Sequence, residues 1–220
     1  MRVPVPRTVA ELAVLIDHTL LTPEATAQQA QAMANEATAL GCASVCISPS
    51  RLPLVTDATV CAVVGFPSGA HTPEVKSAEA AYAIVSGAAE IDMVLDLGAV
   101  KAGAWTDVED DVAAVHAATA GRALLKVIIE AAALTDGEVT GACEAAGRAG
   151  AAFVKTSTGF HPAGGASEHA VALMRAVVGD ELGVKASGGI RTTQAALAMI
   201  AAGANRLGCS GTRTVLAGMK

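Results

Sequence analysis

The sequence is organised around residues 153–160, which read FVKTSTGF. An apolar run that begins at Ala151 is typical of a buried strand, and Lys155 interrupts it. A buried ammonium group is costly unless it is paired or loses its proton. Lys126 and Lys185 interrupt apolar runs in the same way. This concentration of lysines indicates chemistry that uses an amine.

Length and composition limit what the chain can be. Its 220 residues are enough for one substantial core and few for two, so we expect one domain over residues 1–220. With a net charge of −6 and 2% aromatic residues, the chain lacks the positive groove and stacking rings of a nucleic-acid-binding protein. It has no apolar run near the roughly 18 residues that span a bilayer and no signal-peptide core. We therefore expect a cytoplasmic protein with no nucleic-acid or membrane partner.

The cysteines and histidines show no metal-ligand pattern. An odd number of cysteines without CxxC spacing fits small buried hydrophobic residues in a reducing compartment better than disulfides or a zinc site. We expect His18 to be a hydrogen-bonded structural histidine. No histidine or carboxylate cluster has ligand spacing, so we expect no metal and no cofactor. The residues concerned are Cys42, Cys46, Cys61, Cys143, Cys209, His71, His116, His161 and His169.

Short β-rich runs alternate with longer alanine-rich segments along the chain. Most of these runs are almost continuously apolar, which is typical of parallel strands covered on both faces. Eight such units predict a single-domain (β/α)₈ TIM barrel. A doubly wound open sheet is the rival fold, but no GxGxxG turn follows the first strand. The predicted strands are residues 15–20, 44–47, 59–65, 90–95, 124–129, 152–156, 183–187 and 206–209.

The segments between the strands carry helix signals. Residues 22–24 and 72–74 both read Thr-Pro-Glu, which predicts an N-cap, a proline at the first helical position and a favourable acid. Thr106 with Glu109, and Thr135 with Glu138, fit the capping box. Glycines stand where we expect the helices to end. They are Gly41, Gly87, Gly121, Gly147 or Gly150, Gly179 and Gly203.

Charged residues recur near the ends of the later strands. Asp92, Lys126, Lys155 and Lys185 are about 30 residues apart, roughly one βα unit. This spacing predicts that they lie on neighbouring strands of the barrel and converge at one end. A lysine nucleophile needs a lowered pKa, which a dry barrel mouth and a second cation both favour. Lys185 is the expected second cation for Lys155, although a snorkelling lysine or a salt bridge to Asp92 is the alternative.

Acidic residues in the apolar runs have two interpretations. Asp92 could transfer protons or could be the ion-pair partner that makes the lysines tolerable, and the two roles are compatible. Asp17 has the same two interpretations. Glu130 follows the predicted fifth strand at the same end of the barrel.

Three glycine-containing turns close the last three predicted strands. They contain Gly159, Gly188 with Gly189, and Gly208 with Ser210. Glycines let backbone amides approach a phosphate, and the loops after strands seven and eight are a recurrent phosphate site of this fold. These turns therefore predict a phosphate-bearing substrate, with further charge available from Arg191 and Arg206.

These stretches resemble the deoxyribose-phosphate aldolase family. The resemblance extends in family order from residue 16 to residue 211. Its segments are residues 16–21 (IDHTLL), 63–67 (VVGFP), 90–94 (EIDMV), 125–130 (LKVIIE), 153–160 (FVKTSTGF), 184–191 (VKASGGIR) and 206–211 (RLGCSG).

The resemblance implies a metal-free class I aldolase that cleaves 2-deoxy-D-ribose 5-phosphate to acetaldehyde and D-glyceraldehyde 3-phosphate. It implies that Lys155 is the Schiff-base lysine, Asp92 the proton-relay acid and Lys185 the partner lysine. A homodimer is also expected from the family. The residues expected to contact the substrate or its phosphate are Asp17, Lys126, Thr156, Gly159, Gly188, Gly189, Gly208 and Ser210.

Two features depart from the family pattern. Gly211 stands where many members have a second serine, and the sequence ends at Lys220 without the aromatic tail of some members. Both bear on substrate affinity, and the tail on the final proton transfer. The alternative functions are a Schiff-base barrel aldolase or transaldolase with a different sugar phosphate, and a non-catalytic sugar-phosphate-binding barrel.

Overall fold

A computed structural model describes residues 3–219 of the chain, so Met1, Arg2 and Lys220, which bear on the expectations for the two termini, lie outside the described residues. Within residues 3–219, eight parallel strands close into a barrel in the order of the sequence. This confirms the predicted (β/α)₈ fold and excludes the open sheet. The strands are Ile16–Leu20 (β1), Ser44–Ile47 (β2), Val60–Val64 (β3), Glu90–Val94 (β4), Leu124–Ile128 (β5), Phe153–Lys155 (β6), Gly183–Ser187 (β7) and Arg206–Cys209 (β8).

Helices follow the strands and cover the outside of the barrel. Residues 131–133 and 49–51 add short 3₁₀ turns. The helices are Val9–Ala13 (α1), Ala27–Leu40 (α2), Pro73–Val85 (α3), Leu97–Ala102 (α4), Trp105–Thr119 (α5), Asp136–Arg148 (α6), Glu168–Val178 (α7), Thr193–Ala202 (α8) and Thr212–Ala217 (α9).

The predicted helix boundaries were right at some positions and wrong at others. Thr135 and Glu138 form the predicted capping box of α6, and Thr72 is the N-cap of α3. The start predicted at Thr22 is wrong, because α2 begins four residues beyond Pro23 behind its own capping box at Thr26. The box predicted at residues 106–109 is also wrong, since that threonine already lies inside α5.

Alternation along each strand separates two environments. Outward-facing side chains such as Val154 and Val184 belong to one large apolar cluster between the strands and the helices. Inward-facing side chains carry charge on β4 to β8 and on β1. The inner wall of β2 and β3 is instead apolar, where Cys46, Cys61 and Val63 pack with Leu21. The inward-facing charges thus lie on six of the eight strands, and β2 and β3 carry none.

Candidate active site

Lys155 ends β6 with its side chain inside the barrel, where it is buried. Its Nζ donates to Oδ2 of Asp92 at 2.7 Å. The register of the sheet explains this placement, because Lys155 lies beside Lys185 on β7, and Asp92 lies beside Lys126 on β5. The four residues that the sequence placed on neighbouring strands are therefore brought together.

Asp92 accepts hydrogen bonds on both carboxylate oxygens. Its Oδ2 accepts from Lys155 and from Lys185 (2.6 Å), and its Oδ1 accepts from Lys126 (2.8 Å) and from the Cys61 thiol (3.2 Å). Burial alone would raise the pKa of Asp92, but the three ammonium groups outweigh burial and hold that pKa well below its usual range. Asp92 is therefore ionised, and its contacts hold its carboxylate in one orientation.

Lys185 lies between two carboxylates. Its Nζ donates to Oδ2 of Asp17 as well as to Asp92. Burial lowers the pKa of Lys185, yet Asp17 and Asp92 raise it well above its ordinary value, so this lysine stays charged. Burial alone would raise the pKa of Asp17. The charges of Lys185, Lys126 and Arg206 outweigh burial and lower the pKa of Asp17 below its usual value. Lys185 and Lys155 thus donate to the same oxygen, Oδ2 of Asp92.

A second layer of charge lies at the foot of the barrel, where the strands begin. Glu90, the first residue of β4, lies 2.6 Å from Nζ of Lys126 and 3.3 Å from Nη2 of Arg206. Arg206, the first residue of β8, also donates to Oδ1 of Asp17 at 2.6 Å. This arrangement corrects the suggestion that Arg206 adds charge for a phosphate. A residue at the start of a strand lies at the end of the barrel opposite the phosphate turns.

The mouth of the barrel holds a cavity of about 260 Å³ above Lys155. The predicted glycines of all three turns line it, together with Ser210 and Arg191. The cavity also has a wall that the sequence did not reveal, formed by residues 19–22 at the end of β1. The lining residues among those predicted are Lys155, Gly159, Gly188, Gly189, Gly208 and Ser210.

Gly188 and Gly189 form the turn that follows β7. Both have positive φ (+85° and +82°), a region that disfavours side chains, and a Cβ added at Gly188 would lie 3.0 Å from Cα of Gly165. A Cβ at Gly189 would meet no atom within 4 Å. The open side of this turn therefore faces the cavity, two residues before Arg191 and shortly before the Thr192 N-cap of α8.

Three predicted substrate contacts are placed elsewhere. Asp17 and Lys126 are fully buried below the cavity and are occupied by ion pairs, and neither lines it. Thr156 is also fully buried, and its hydroxyl donates to the carbonyl oxygen of Ser187 and accepts from the Ser187 amide. The structure thus gives these three residues supporting contacts to other side chains and to the backbone, and their contacts with substrate stay predictions.

Two side-chain contacts at the mouth were not predicted from the sequence. The Thr158 amide and hydroxyl both donate to Glu130, which fixes the turn after β6. Phe160, in that turn, packs edge-to-face on Phe66 of the β3–α3 loop with ring centroids 5.2 Å apart. Both phenylalanines belong to the quoted motifs. Their contact joins segments nearly 100 residues apart, so no local sequence pattern could predict it.

The cysteines have more than one environment. Burial raises the pKa of Cys143 and of Cys209 to about 12, so both behave as neutral apolar groups. Cys46 and Cys61 instead face each other across β2 and β3 next to Asp92, and Cys61 donates to that carboxylate. Cys61 is thus a free, buried cysteine, as predicted, and it also makes a polar contact that the sequence did not indicate.

His18 is the structural histidine that was predicted. It faces outward from β1, and its Nδ1 lies 2.8 Å from the Thr212 hydroxyl. Burial lowers its pKa.

Inside the barrel, sulfur and carboxylate oxygens of Cys46, Cys61 and Asp92 lie within 4.8 Å of one another. Asp92 already faces three ammonium groups, and these cations would repel a metal ion.

Comparisons with known proteins agree on one family. The family model for DeoC/LacD family aldolases matches residues 11–218. The chain is 60% identical to the deoxyribose-phosphate aldolase of Kocuria rhizophila over 215 residues (96% of this chain, 97% of that protein). It is 57% identical to the enzyme of the same name from Nocardia farcinica over 210 residues (95% of each).

Solved structures give the same result. The deoxyribose phosphate aldolase from Aeropyrum pernix, described as tetrameric, has a TM-score of 0.86 at 32% identity and covers 96% of this chain and 91% of its own. An aldolase named QR15 has a TM-score of 0.89 at 34% identity, with 94% of both chains covered.

Proposed function

Because this chain belongs to the DeoC/LacD family of aldolases, we propose that it cleaves 2-deoxy-D-ribose 5-phosphate reversibly, through a Schiff base on Lys155, to acetaldehyde and D-glyceraldehyde 3-phosphate. One observation carries the assignment to Lys155. Among the described lysines, it is the one that lines the mouth cavity, whereas Lys126 and Lys185 lie beneath it.

The proposed reaction begins when the Lys155 amine attacks C1 of the open-chain sugar phosphate and water leaves. The resulting iminium accepts the electron pair of the C2–C3 bond as the C3 hydroxyl loses its proton. This step releases D-glyceraldehyde 3-phosphate and leaves a two-carbon enamine. Protonation of the enamine at C2 and hydrolysis of the imine then release acetaldehyde and restore the amine.

Asp92 is the proposed acceptor for the C3 hydroxyl proton, directly or through one water. Its depressed pKa keeps it ionised, and its Oδ2 already lies 2.7 Å from Nζ of Lys155. Lys185 has the role of a fixed cation that orients Asp92. Its positive charge disfavours the protonated form of Lys155. The proton taken from the hydroxyl can return through Asp92 to the enamine carbon.

The phosphate is assigned to the glycine turns at Gly159, Gly188 and Gly208, with Ser210 and Arg191 beside them. Backbone amides and one guanidinium suit a dianionic group. Because the phosphate is remote from C1, its binding energy would orient the reacting carbons above Lys155.

Trapping with acetaldehyde and cyanoborohydride tests this assignment. Reduction of the imine leaves an ethyl group on the reacting lysine, and peptide mass mapping identifies that residue. We expect the adduct on Lys155. An adduct on Lys126 or Lys185 would contradict the assignment, and cleavage of a keto-sugar phosphate without cleavage of 2-deoxyribose 5-phosphate would identify a different aldolase.

Two broader expectations stay predictions. No helix among residues 3–219 is long and apolar enough to cross a membrane. A cytoplasmic location, expected from the unpaired cysteines, can be tested by fractionation. The homodimer can be tested by light scattering on the purified chain.

A further inference from the structure

The ion-paired network inside the barrel contains one more cation than carboxylates. Each of its members is linked to another by a contact of 4.0 Å or less. The cations are Lys126, Lys155, Lys185 and Arg206, and the carboxylates are Asp17, Glu90 and Asp92. When every group is charged, the network carries a net charge of +1. Loss of one proton would balance it.

Lys155 is the member best placed to lose that proton. It contacts a single carboxylate of the network, whereas Lys126 and Lys185 each contact two or more. Arg206 is an arginine and stays protonated. Asp17 and Asp92 raise the pKa of Lys185, and Asp92 raises that of Lys126, although burial opposes both shifts.

Other ionisable groups near the network form no ion pair with its members among residues 3–219. Glu130, at the mouth end of β5, directs its carboxylate to Thr158. Burial raises the pKa of the Cys61 thiol well above its usual value, so Cys61 is neutral. The neighbouring Cys61 side chain lowers the pKa of Cys46 while burial raises it, and Cys46 lies on the apolar wall of β2 and β3.

We propose that Glu90 and Arg206, at the foot of the barrel, are positioning residues that set the pH at which Lys155 becomes a free amine. The proposal rests on the Schiff-base function assigned to Lys155. Arg206 favours loss of the Lys155 proton because it contributes the surplus positive charge. Glu90 opposes that loss because it neutralises part of the charge of Lys126 and Arg206.

Glu90 and Arg206 lie too far from the mouth cavity to line it, so the proposed role does not involve contact with substrate. Glu90 and Arg206 are the first residues of opposite strands, and neither lines the mouth cavity. Arg206 also lies over the ring of Phe153, 5.8 Å from its centroid, and Phe153 packs tightly against Gly183 at the same level. The foot of the barrel is thus a packed layer from which the two charges act on Lys155 through the interior.

The expected size of the effect follows from Coulomb's law. A unit charge about 10 Å away in a medium of effective dielectric constant about 20 moves a titration midpoint by about one pH unit. Removing Arg206 should therefore move the midpoint for Lys155 up by about one unit, and removing the charge of Glu90 should move it down by a similar amount.

The test is the pH dependence of the rate of acetaldehyde trapping at Lys155, measured for Glu90→Gln, Arg206→Gln and the double variant. We expect opposite shifts in the single variants and a midpoint near that of the unaltered protein in the double variant. A merely structural role would lower the trapping rate in both single variants without opposite shifts. Lys185→Met should give an upward shift and provides the reference for a removed cation.

Cys46→Ser is the matched control, because it replaces the thiol by a hydroxyl that does not ionise at these pH values. We expect no shift from it. A downward shift would show that a Cys46 thiolate balances the network, and would overturn the proposal, as would equal or absent shifts in the Glu90 and Arg206 variants. If Arg206→Gln does not fold, Glu90→Gln still gives the direction of its own shift. The difference between Glu90→Gln and the double variant then gives the direction of the shift caused by Arg206→Gln. Absence of any adduct on Lys155 in the unaltered protein would instead refute the Schiff-base function.

Discussion

On β4, Ile91 and Met93 point outward into the layer between the barrel and the helices, whereas Glu90 and Asp92 point inward and carry charge. All four residues are buried. The outward side chains are apolar and remove surface from water, which stabilises the fold by about 25 cal/mol per Å². The inward side chains form ion pairs, whose net contribution to stability is small once desolvation is included.

The comparison teaches that one strand serves two purposes on its two faces. A barrel could fill its interior with apolar side chains, as the inner wall of β2 and β3 does here. The charged groups on the other strands therefore need another explanation, and the reaction proposed at Lys155 provides one. Substitutions on the inward face should mainly change activity, and substitutions on the outward face should mainly change stability.

Lys155→Met should have the largest effect. Turnover should fall by at least about 10⁴-fold, because no second lysine among residues 3–219 lines the cavity to take over the proposed covalent step. Stability should not fall, since the change leaves three cations facing three carboxylates, and Asp92 keeps its contacts with Lys126 and Lys185. Steady-state kinetics and urea denaturation check the two halves of this prediction. A large loss of stability would contradict the comparison between the two faces.

Ile91→Ala should give the reverse result. Ile91 is fully buried in the outer apolar layer, so truncation leaves a cavity and should lower the free energy of unfolding by about 2–5 kcal/mol. The protein that remains folded should trap acetaldehyde at Lys155 with an almost unchanged rate. Trapping at a temperature below the unfolding transition checks this. A trapping rate reduced as strongly as in the inward variants would mean that the two faces are not independent.

Much of this division could be predicted from the sequence. Apolar runs located all eight strands, because most outward side chains are apolar and the inward side chains of β2 and β3 carry no charge. Asp92, Lys126, Lys155 and Lys185 could be grouped because βα units of similar length bring equivalent positions of neighbouring strands together.

The contacts that could not be predicted depend on distance along the chain and on side-chain direction. Glu90 and Arg206 meet across the barrel although 116 residues separate them. Thr156 follows the inward Lys155 by one residue, so its hydroxyl bonds the backbone of β7 and does not reach the cavity. The Thr22-Pro23-Glu24 sequence predicts a helix start, but residues 19–22 form a wall of the mouth cavity. The helix therefore begins later, with Thr26 as the N-cap of α2.

Ser210→Ala should have a smaller effect, confined to the phosphorylated substrate. Ser210 lines the cavity beside the glycine turns, and a hydroxyl donated to a phosphate is worth about 1.5–3 kcal/mol. We expect kcat/KM on 2-deoxyribose 5-phosphate to fall by at least about tenfold and activity on unphosphorylated 2-deoxyribose to stay the same. Ser68→Ala, at a serine outside this cavity, is the control. Equal losses on both substrates would mean that Ser210 shapes the cavity and binds no phosphate.

Gly211→Ser should have the smallest effect, and on stability only. Gly211 is the N-cap of α9 and makes no side-chain cap, a Cβ built there meets no atom within 4 Å, and the residue does not line the mouth cavity. A serine would accept a hydrogen bond from an amide in the first turn of α9, which should stabilise the chain by a few tenths of a kcal/mol over glycine and about 1 kcal/mol over alanine. Thermal unfolding should therefore rank the Ser variant above the matched Gly211→Ala variant by about 2–4 °C. KM for the sugar phosphate should not change in either variant. If KM falls with serine alone, its hydroxyl reaches the phosphate, and Gly211 then belongs with the inward-facing residues that serve the reaction.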